Sequence, residues 1–309
     1  MTQIVKNHHS TTSMNGIATS SELDLAHLQQ WIGNTETAED WISPTAVEGF
    51  QHTLDYDKTE LLHAPPGFHW TLGIAKPKIS EVGQDGHAAL GGFLPPMSGL
   101  NRMWASSTLA FKQPLAVGQA VERNSTVSNV ELKSGRSGPL VFVTVQHSYE
   151  QVGKTCLDEQ QKLVFRTPPD PSKPVREPDP APQNPEVQRE ITPNPVMLFR
   201  YSALTFNGHR IHYDVDYCRD VEGYPGLVVH GPLLATLLMD LAVRMRPNAQ
   251  LRRFEFRAVS PVFCTGSLLV CGREADRQLQ LWVAHPQGSL AMQGTLEYKE
   301  PSNTRGLDA

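Results

Sequence analysis

The chain has 309 residues, about twice a common single-domain length, so two domains or one fold repeated is the opening expectation. Its 39% hydrophobic and 19% charged residues suit a globular chain with a real core, and a formal net charge of −5 offers no basic surface for a nucleic-acid backbone. No apolar run approaches the ~18–20 residues that cross a bilayer, and the N-terminus has no basic–apolar–small cleavage pattern.

Residues 1–20, rich in Ser, Thr, His and Asn and without Arg, are expected to be disordered and to carry neither a secretory nor a mitochondrial signal. Residues 21–55 read as two amphipathic helices, the second starting at Ser43-Pro44. GLNRMWASST (99–108) is a short, polar helix candidate leading into LAFKQPLAVGQAVE, PLVFVTVQHSYEQ and QQKLVFR, whose β-branched and aromatic runs predict half-buried antiparallel strands. A first unit over 21–166 follows. From 167 to 195 a Pro stands at roughly every third position, which predicts an extended connector.

The second unit, 196–300, repeats the order of parts before a tail at 301–309. GPLLATLLMDLAVRMRP (231–247) is apolar on nearly all sides, so a buried helix is expected, with Pro232 in its first turn and Pro247 ending it. RRFEFRAVSPVFCTGSLLV, LQLWVAHPQ and LAMQGTLEYK supply strands. The fold class expected is α+β, a double hot dog in which each repeat wraps a curved antiparallel sheet around a central helix. The four cysteines form no CxxC pair and are too sparse for a disulfide framework, consistent with reduced thiols in a cytoplasmic protein.

Residues of catalytic type concentrate in RYSALTFNGHRIHYDVDYCRDVEGYPGLVVHG (200–231), which holds Asn207, His209, His212, Asp214, Asp216 and His230. His209, His212 and Asp214 spell HxxHxD, but neither strand nor helix spacing puts all three on one face, so no metal is expected. No GxSxG, GxGxxG or GxxxxGK[ST] occurs, which speaks against a serine hydrolase and against a nucleotide cofactor. YPGLVVHGPL leads into a helix N-terminus, whose free N–H groups suit a thioester oxygen that gathers negative charge, with Gly231 admitting close approach.

RYSALTFNGHRIHYDVDY followed by EGYPGLVVHGPLLATLL resembles the MaoC-like (R)-specific enoyl-CoA hydratases. It is similar above all to their double hot-dog branch, which includes itaconyl-CoA and 3-methylfumaryl-CoA hydratases and type-2 hydroxyacyl-thioester dehydratases. GHAALGGFLPPMSGLNRMWASSTLAFKQPLAVG (86–118) is similar to that branch's degenerate first repeat. The family motif Asp-x-Asn-Pro-x-His falls on Asn207, Gly208, His209, Arg210, Ile211 and His212, with Asn replacing the Asp. The resemblance implies His212 as the proton-handling residue, Asn207 as water-positioner through its amide, and the Gly231 N–H as oxyanion donor.

It further implies an acyl-CoA thioester as substrate, no cofactor beyond it, and a homo-oligomer as an allowed assembly. A C5 dicarboxylate acyl group would need a cation, for which Arg200, Arg210 and Arg102 stand in reach by position, while Arg252, Arg253 and Arg257 could meet CoA phosphates. Tyr213 and His230 complete the expected substrate contacts. Catalysis is expected only in the second half. Alternatives are a 3-hydroxyacyl-thioester dehydratase of fatty-acyl metabolism and a non-catalytic acyl-CoA-binding protein. Thioester hydrolysis is disfavoured because the long helix has no acid before Asp240.

Overall fold

The computed structural model describes residues 23–57, 59–97, 99–135, 138–167 and 178–300. The segments expected to be disordered or tail, 1–20 and 301–309, lie outside the described residues, as does 168–177 of the Pro-rich stretch.

A helical turn α1 (Leu25–Leu28) and a 3-10 turn (Gln29–Trp31) precede strand β1 (Thr35–Trp41) and helix α2 (Pro44–Thr53). Thr35–Trp41 replaces much of the first helix expected within 21–55. Its burial alternates with period two along one edge of the sheet, and pairing with a neighbour overrides helical propensity. α2 starts at Pro44 behind an extended Ser43, as the Ser-Pro pair predicts.

Strands β2 (Asn101–Phe111), β3 (Ala120–Gly135), β4 (Gly138–Gln151) and β5 (Lys154–Arg166) complete the first repeat. The helix expected over 99–108 is therefore a strand. β2 is hydrogen-bonded along both edges, so a central sheet position supplies its backbone partners, and Met103, Trp104 and Thr108 suit a pleated surface. The helix of the first repeat is α2.

β6 (Val187–Ile191) begins the second repeat inside the stretch expected to be connector. Its five residues VQREI contain no Pro, so an edge strand is permitted there, and the repeat starts before residue 196. Then come α3 (Pro195–Leu204), a 3-10 turn (Arg210–His212), α4 (Val215–Asp220), the long α5 (Gly231–Met245), and strands β7 (Gln250–Ala258), β8 (Leu268–Ala275), β9 (Gln278–Ala284) and β10 (Leu290–Lys299).

One ten-stranded sheet results, in the order β1-β3-β4-β5-β2-β7-β10-β9-β8-β6, with every pairing antiparallel. Read inward from either edge, the strands of a repeat come first, third, fourth, fifth, second. The halves meet where β2 pairs β7, from Ser106 opposite Arg257 to Ala110 opposite Arg253. That is the double hot dog.

α5 buries every residue from Leu233 to Ala242 and packs on β8, β9 and β10. Its apolar surface and that of α2 (Val47, Phe50) belong to one core. Asp240, buried within α5, is neutralised by Arg189 from β6 and by Arg244 one turn on. The four cysteines are free thiols. Among the described residues no helix is long and apolar enough to cross a membrane.

Candidate active site

A cavity of about 1380 Å³ lies between the two halves, large enough for an acyl chain and part of a pantetheine arm. Asn207, His209, His212, Tyr213 and Gly231 line it from the second half, and His87, Arg102, Arg123, His147 and Glu159 from the first.

His212 ends the 3-10 turn Arg210–His212 and is buried. The Val228 strand segment, held by its N–H on Ile211 O, offers its carbonyl to His212 Nδ1 at 2.7 Å. Nδ1 therefore carries the hydrogen and Nε2 is left as the acceptor. Burial lowers the imidazole, the Val228 bond partly offsets this, His87 lowers it further, and the result is about 4. At neutral pH His212 is an uncharged base.

α5 begins at Gly231, whose N–H belongs to the unbonded first turn of the helix. The space where a Gly231 side chain would stand is empty, so a ligand oxygen has access to the backbone. Asn207 uses its side-chain oxygen to accept the His209 N–H at 2.9 Å, which shapes the turn before His212. The three residues named for catalysis thus all line the cavity.

The expected substrate contacts divide. Tyr213 lines the cavity and donates its hydroxyl to Gly208 O at 3.0 Å. His230 lies behind His212 rather than on the wall. Its ring stacks on His212 with centroids 3.6 Å apart, Nε2 meets Ser202 Oγ at 2.8 Å, and Nδ1 is without a partner. Arg210 is held by Asp214 and lies over the Tyr217 ring, outside the cavity wall. Arg200 and Arg257 are exposed and away from it too. Arg252 and Arg253 are likewise exposed on β7, with Arg253 paired to Glu255.

The HxxHxD set is not assembled. Asp214 turns away to Arg210 and to the N-terminus of α4, and Asp216 is exposed. A different cluster forms instead across the two halves. Asp85 Oδ2 takes the His87 Nδ1 hydrogen at 2.9 Å, and the rings of His87 and His209 lie 4.2 Å apart. His209 in turn stands edge-on to His212 at 5.5 Å.

Ligand atoms of Asp85, His87 and His209 fall within 4.8 Å of one another, a donor set of the type zinc accepts. Two observations count against a cation there. Asp85 and His87 already satisfy each other, and the Arg102 guanidinium adds positive charge beside both histidines.

Arg102, one of the three arginines named by position, lines the cavity. Its guanidinium makes no ion pair or side-chain hydrogen bond among the described residues. Burial, only partly countered by Asp85, pulls it down to about 10, so it remains charged. Asp85 and His87 had no motif to mark them, although His87 lies in the GHAALGG segment and Asp85 immediately precedes it.

The sequence matches the family model of hydroxyacyl-thioester dehydratase type 2 over residues 67–264. It is 40% identical over 273 residues to a mesaconyl-C(4)-CoA hydratase from Chloroflexus aurantiacus, covering 86% of this chain and 96% of that protein. It is 30% identical over 258 residues to the mitochondrial hydroxyacyl-thioester dehydratase type 2 of Schizosaccharomyces pombe, covering 75% of this chain and 83% of that one. The fold is shared with a MaoC-like dehydratase from Phytophthora capsici at TM-score 0.69 and 14% identity, over 92% of this chain and all of that one. It is shared also with a Mycobacterium tuberculosis protein described as a double hot dog, at TM-score 0.54 and 14% identity, over 87% and 96% of the two chains. With the hot-dog sheet, the His212 turn and the α5 N-terminus all in place, the chain belongs to the hydroxyacyl-thioester dehydratase type 2 family of MaoC-like hydro-lyases.

Proposed function

We propose that the chain adds water across the α,β double bond of a short enoyl-CoA thioester that bears a second carboxylate, of the mesaconyl or itaconyl type. The observation that carries this is Arg102, a charged guanidinium on the cavity wall that makes no ion pair among the described residues, the nearby Asp85 being engaged by His87. Leaving such a cation unpaired is costly, and a substrate carboxylate is the partner its fork geometry fits. In a β-carboxylated enoyl thioester that carboxylate is one bond from the carbon that receives the hydroxyl, which suits an Arg next to the proton-handling groups. Arg123, His147, Glu159 and Gln161 add further polar groups to the first-half lining. The likeness to the Chloroflexus hydratase supports the same class.

The geometry supports the following chemistry. Water gives a proton to His212 Nε2 as its oxygen bonds the β-carbon. The π electrons move toward the thioester carbonyl, and the Gly231 N–H and the dipole of α5 stabilise the oxyanion. Asn207 orients the water, and the α-carbon then takes up a proton.

The test is hydration of crotonyl-, medium-chain, itaconyl- and mesaconyl-CoA, followed by loss of enoyl absorbance. Fast turnover of the dicarboxylates is expected, lowered about 10²–10⁴-fold by His212→Ala. Arg102→Gln is expected to raise KM about 10–100-fold for the dicarboxylates, as loss of a charged hydrogen bond does, and to leave crotonyl-CoA unchanged. Preference for medium chains would place the protein in fatty-acyl metabolism instead, and binding without any turnover would make it a thioester-binding protein.

A further inference from the structure

We infer that the first half is catalytic as well: His87, held by Asp85, is the residue that delivers the proton to the substrate α-carbon. The inference rests on the hydration reading above and deepens it. Water addition needs a group to take a proton from the nucleophile and a group to give one to the neighbouring carbon. The second half supplies His212, backed only by a neutral backbone carbonyl, and His209, whose ring stands between His212 and His87. Where the family motif has a carboxylate, this chain has Asn207, and its oxygen is engaged by the His209 N–H. No carboxylate of the second half pairs with His212, His209 or His230 among the described residues. The carboxylate of the cluster is Asp85, and it comes from the first half.

Asp85 is well placed to hold a charged imidazole. Oδ2 accepts from His87 Nδ1 at 2.9 Å and Oδ1 from the His87 N–H at 3.0 Å, so the ring is fixed with Nε2 free. His87, unlike Asp85, lines the cavity, on the same wall as His209 and His212. The loop that carries the pair is docked on the second half through its backbone. Arg210 N–H donates to Asp85 O at 2.9 Å and Arg210 Nη1 to Gln84 O at 3.2 Å. Gly86 and Gly208 pass so closely that a side chain on Gly86 would lie 1.9 Å from Gly208 O. Such contacts serve the placement of His87 more than the core, since neither glycine buries apolar surface.

Groups facing His87 are Asp85, Arg102, His209 and, farther off, His212. Burial and then Arg102 press its basicity down to about 4, against the opposing pull of Asp85. A substrate carboxylate paired with Arg102 cancels that second influence, so binding itself favours the His87 imidazolium. The reaction then balances: the water O–H, the His87 Nε2–H and the C=C π bond break, while C–O, C–H and His212 Nε2–H bonds form. His209, in contact with both rings, is the route by which the extra proton on His212 returns to His87 before the next turnover.

The decisive measurement is exchange of the α-hydrogen of the 3-hydroxyacyl thioester in D₂O, read by mass together with steady-state hydration. His87→Gln and Asp85→Asn are expected to lower kcat about 10²–10⁴-fold with KM within about three-fold, at unchanged unfolding temperature. His212→Ala, unable to form the double bond, should still wash deuterium into the α-position, and His87→Gln should not. Exchange that survives His87→Gln, or is lost equally in His212→Ala, overturns the inference. So does loss of wild-type turnover to a chelator with recovery on added zinc, which would make Asp85, His87 and His209 ligands. A wild-type protein that hydrates no enoyl thioester sinks the hydration reading along with it, whereas full activity in the His87 and Asp85 variants sinks this inference alone.

Discussion

Glu159, on β5 in the first half, shows how far one buried residue departs from its intrinsic chemistry. It is 1% exposed, accepts Ser107 Oγ at 2.7 Å and Trp70 Nε1 at 3.1 Å, and has His69 Nε2 at 3.7 Å. Burial pushes its carboxyl up to about 7, outweighing the donors from Ser107 and Trp70 and the charge of Arg123. His69, pressed down to about 3 by burial and then by His147, stays neutral and cannot serve as counter-ion. A carboxyl raised in the folded state binds its proton more tightly there than in the unfolded chain. Its contribution to stability is therefore whole below the ordinary value of 4.5 and is lost as pH rises toward 7. Glu159→Gln, with Ser107 turned to accept, removes that loss. The stability difference between variant and wild type in denaturant titrations should grow in favour of Gln from pH 4.5 to 8, by up to about 3 kcal/mol. A difference that stays flat with pH would show that Glu159 ionises freely. Residue type alone reveals none of this, because the neighbours come from elsewhere in the chain.

Among the elements, α5 and its N-terminus were legible and β1 and β2 were not. The α5 segment is apolar all round, has Pro in its first turn, and starts at a Gly that opens on the cavity, so local pattern and buried position agree. β2 reads locally as a short polar helix and becomes a strand because two partners claim its edges. The loop of Asp85, Gly86 and His87 is a third case, since its role depends on a partner loop far along the chain. Gly86 has φ +90 and no room for a methyl group against Gly208. Gly86→Ala should cost about 2 kcal/mol by thermal or denaturant unfolding, from strain and from the lost Asp85–Arg210 backbone bond. The same variant should lower hydration more than this loss of folded protein explains, because His87 is displaced from His209. An Ala variant with wild-type turnover would mean that the loop need not dock.

At the scale of the whole molecule the two repeats are not independent. One sheet runs through both, and the core joins α2 and α5. Separating the halves would bare the β2 and β7 edges and the shared apolar surface together. Thermal unfolding should accordingly give one transition, with far-UV circular dichroism and tryptophan fluorescence superimposed. The fluorescence reports on both halves, through Trp70 and Trp104 in the first and Trp282 in the second. Two resolved transitions would contradict a single cooperative unit.

Local sequence carries the repeated order of strands, the buried helix and its start at Gly231, because each depends on neighbours close along the chain. Short-range periodicity and capping chemistry encode such features directly. Which arginine faces the cavity, the place of His230 behind His212, and the meeting of Asp85 and His87 with the second half's histidines all come from long-range packing. Those placements depend on contacts between segments far apart in the chain, and no local pattern of residues specifies which distant backbone will pass alongside.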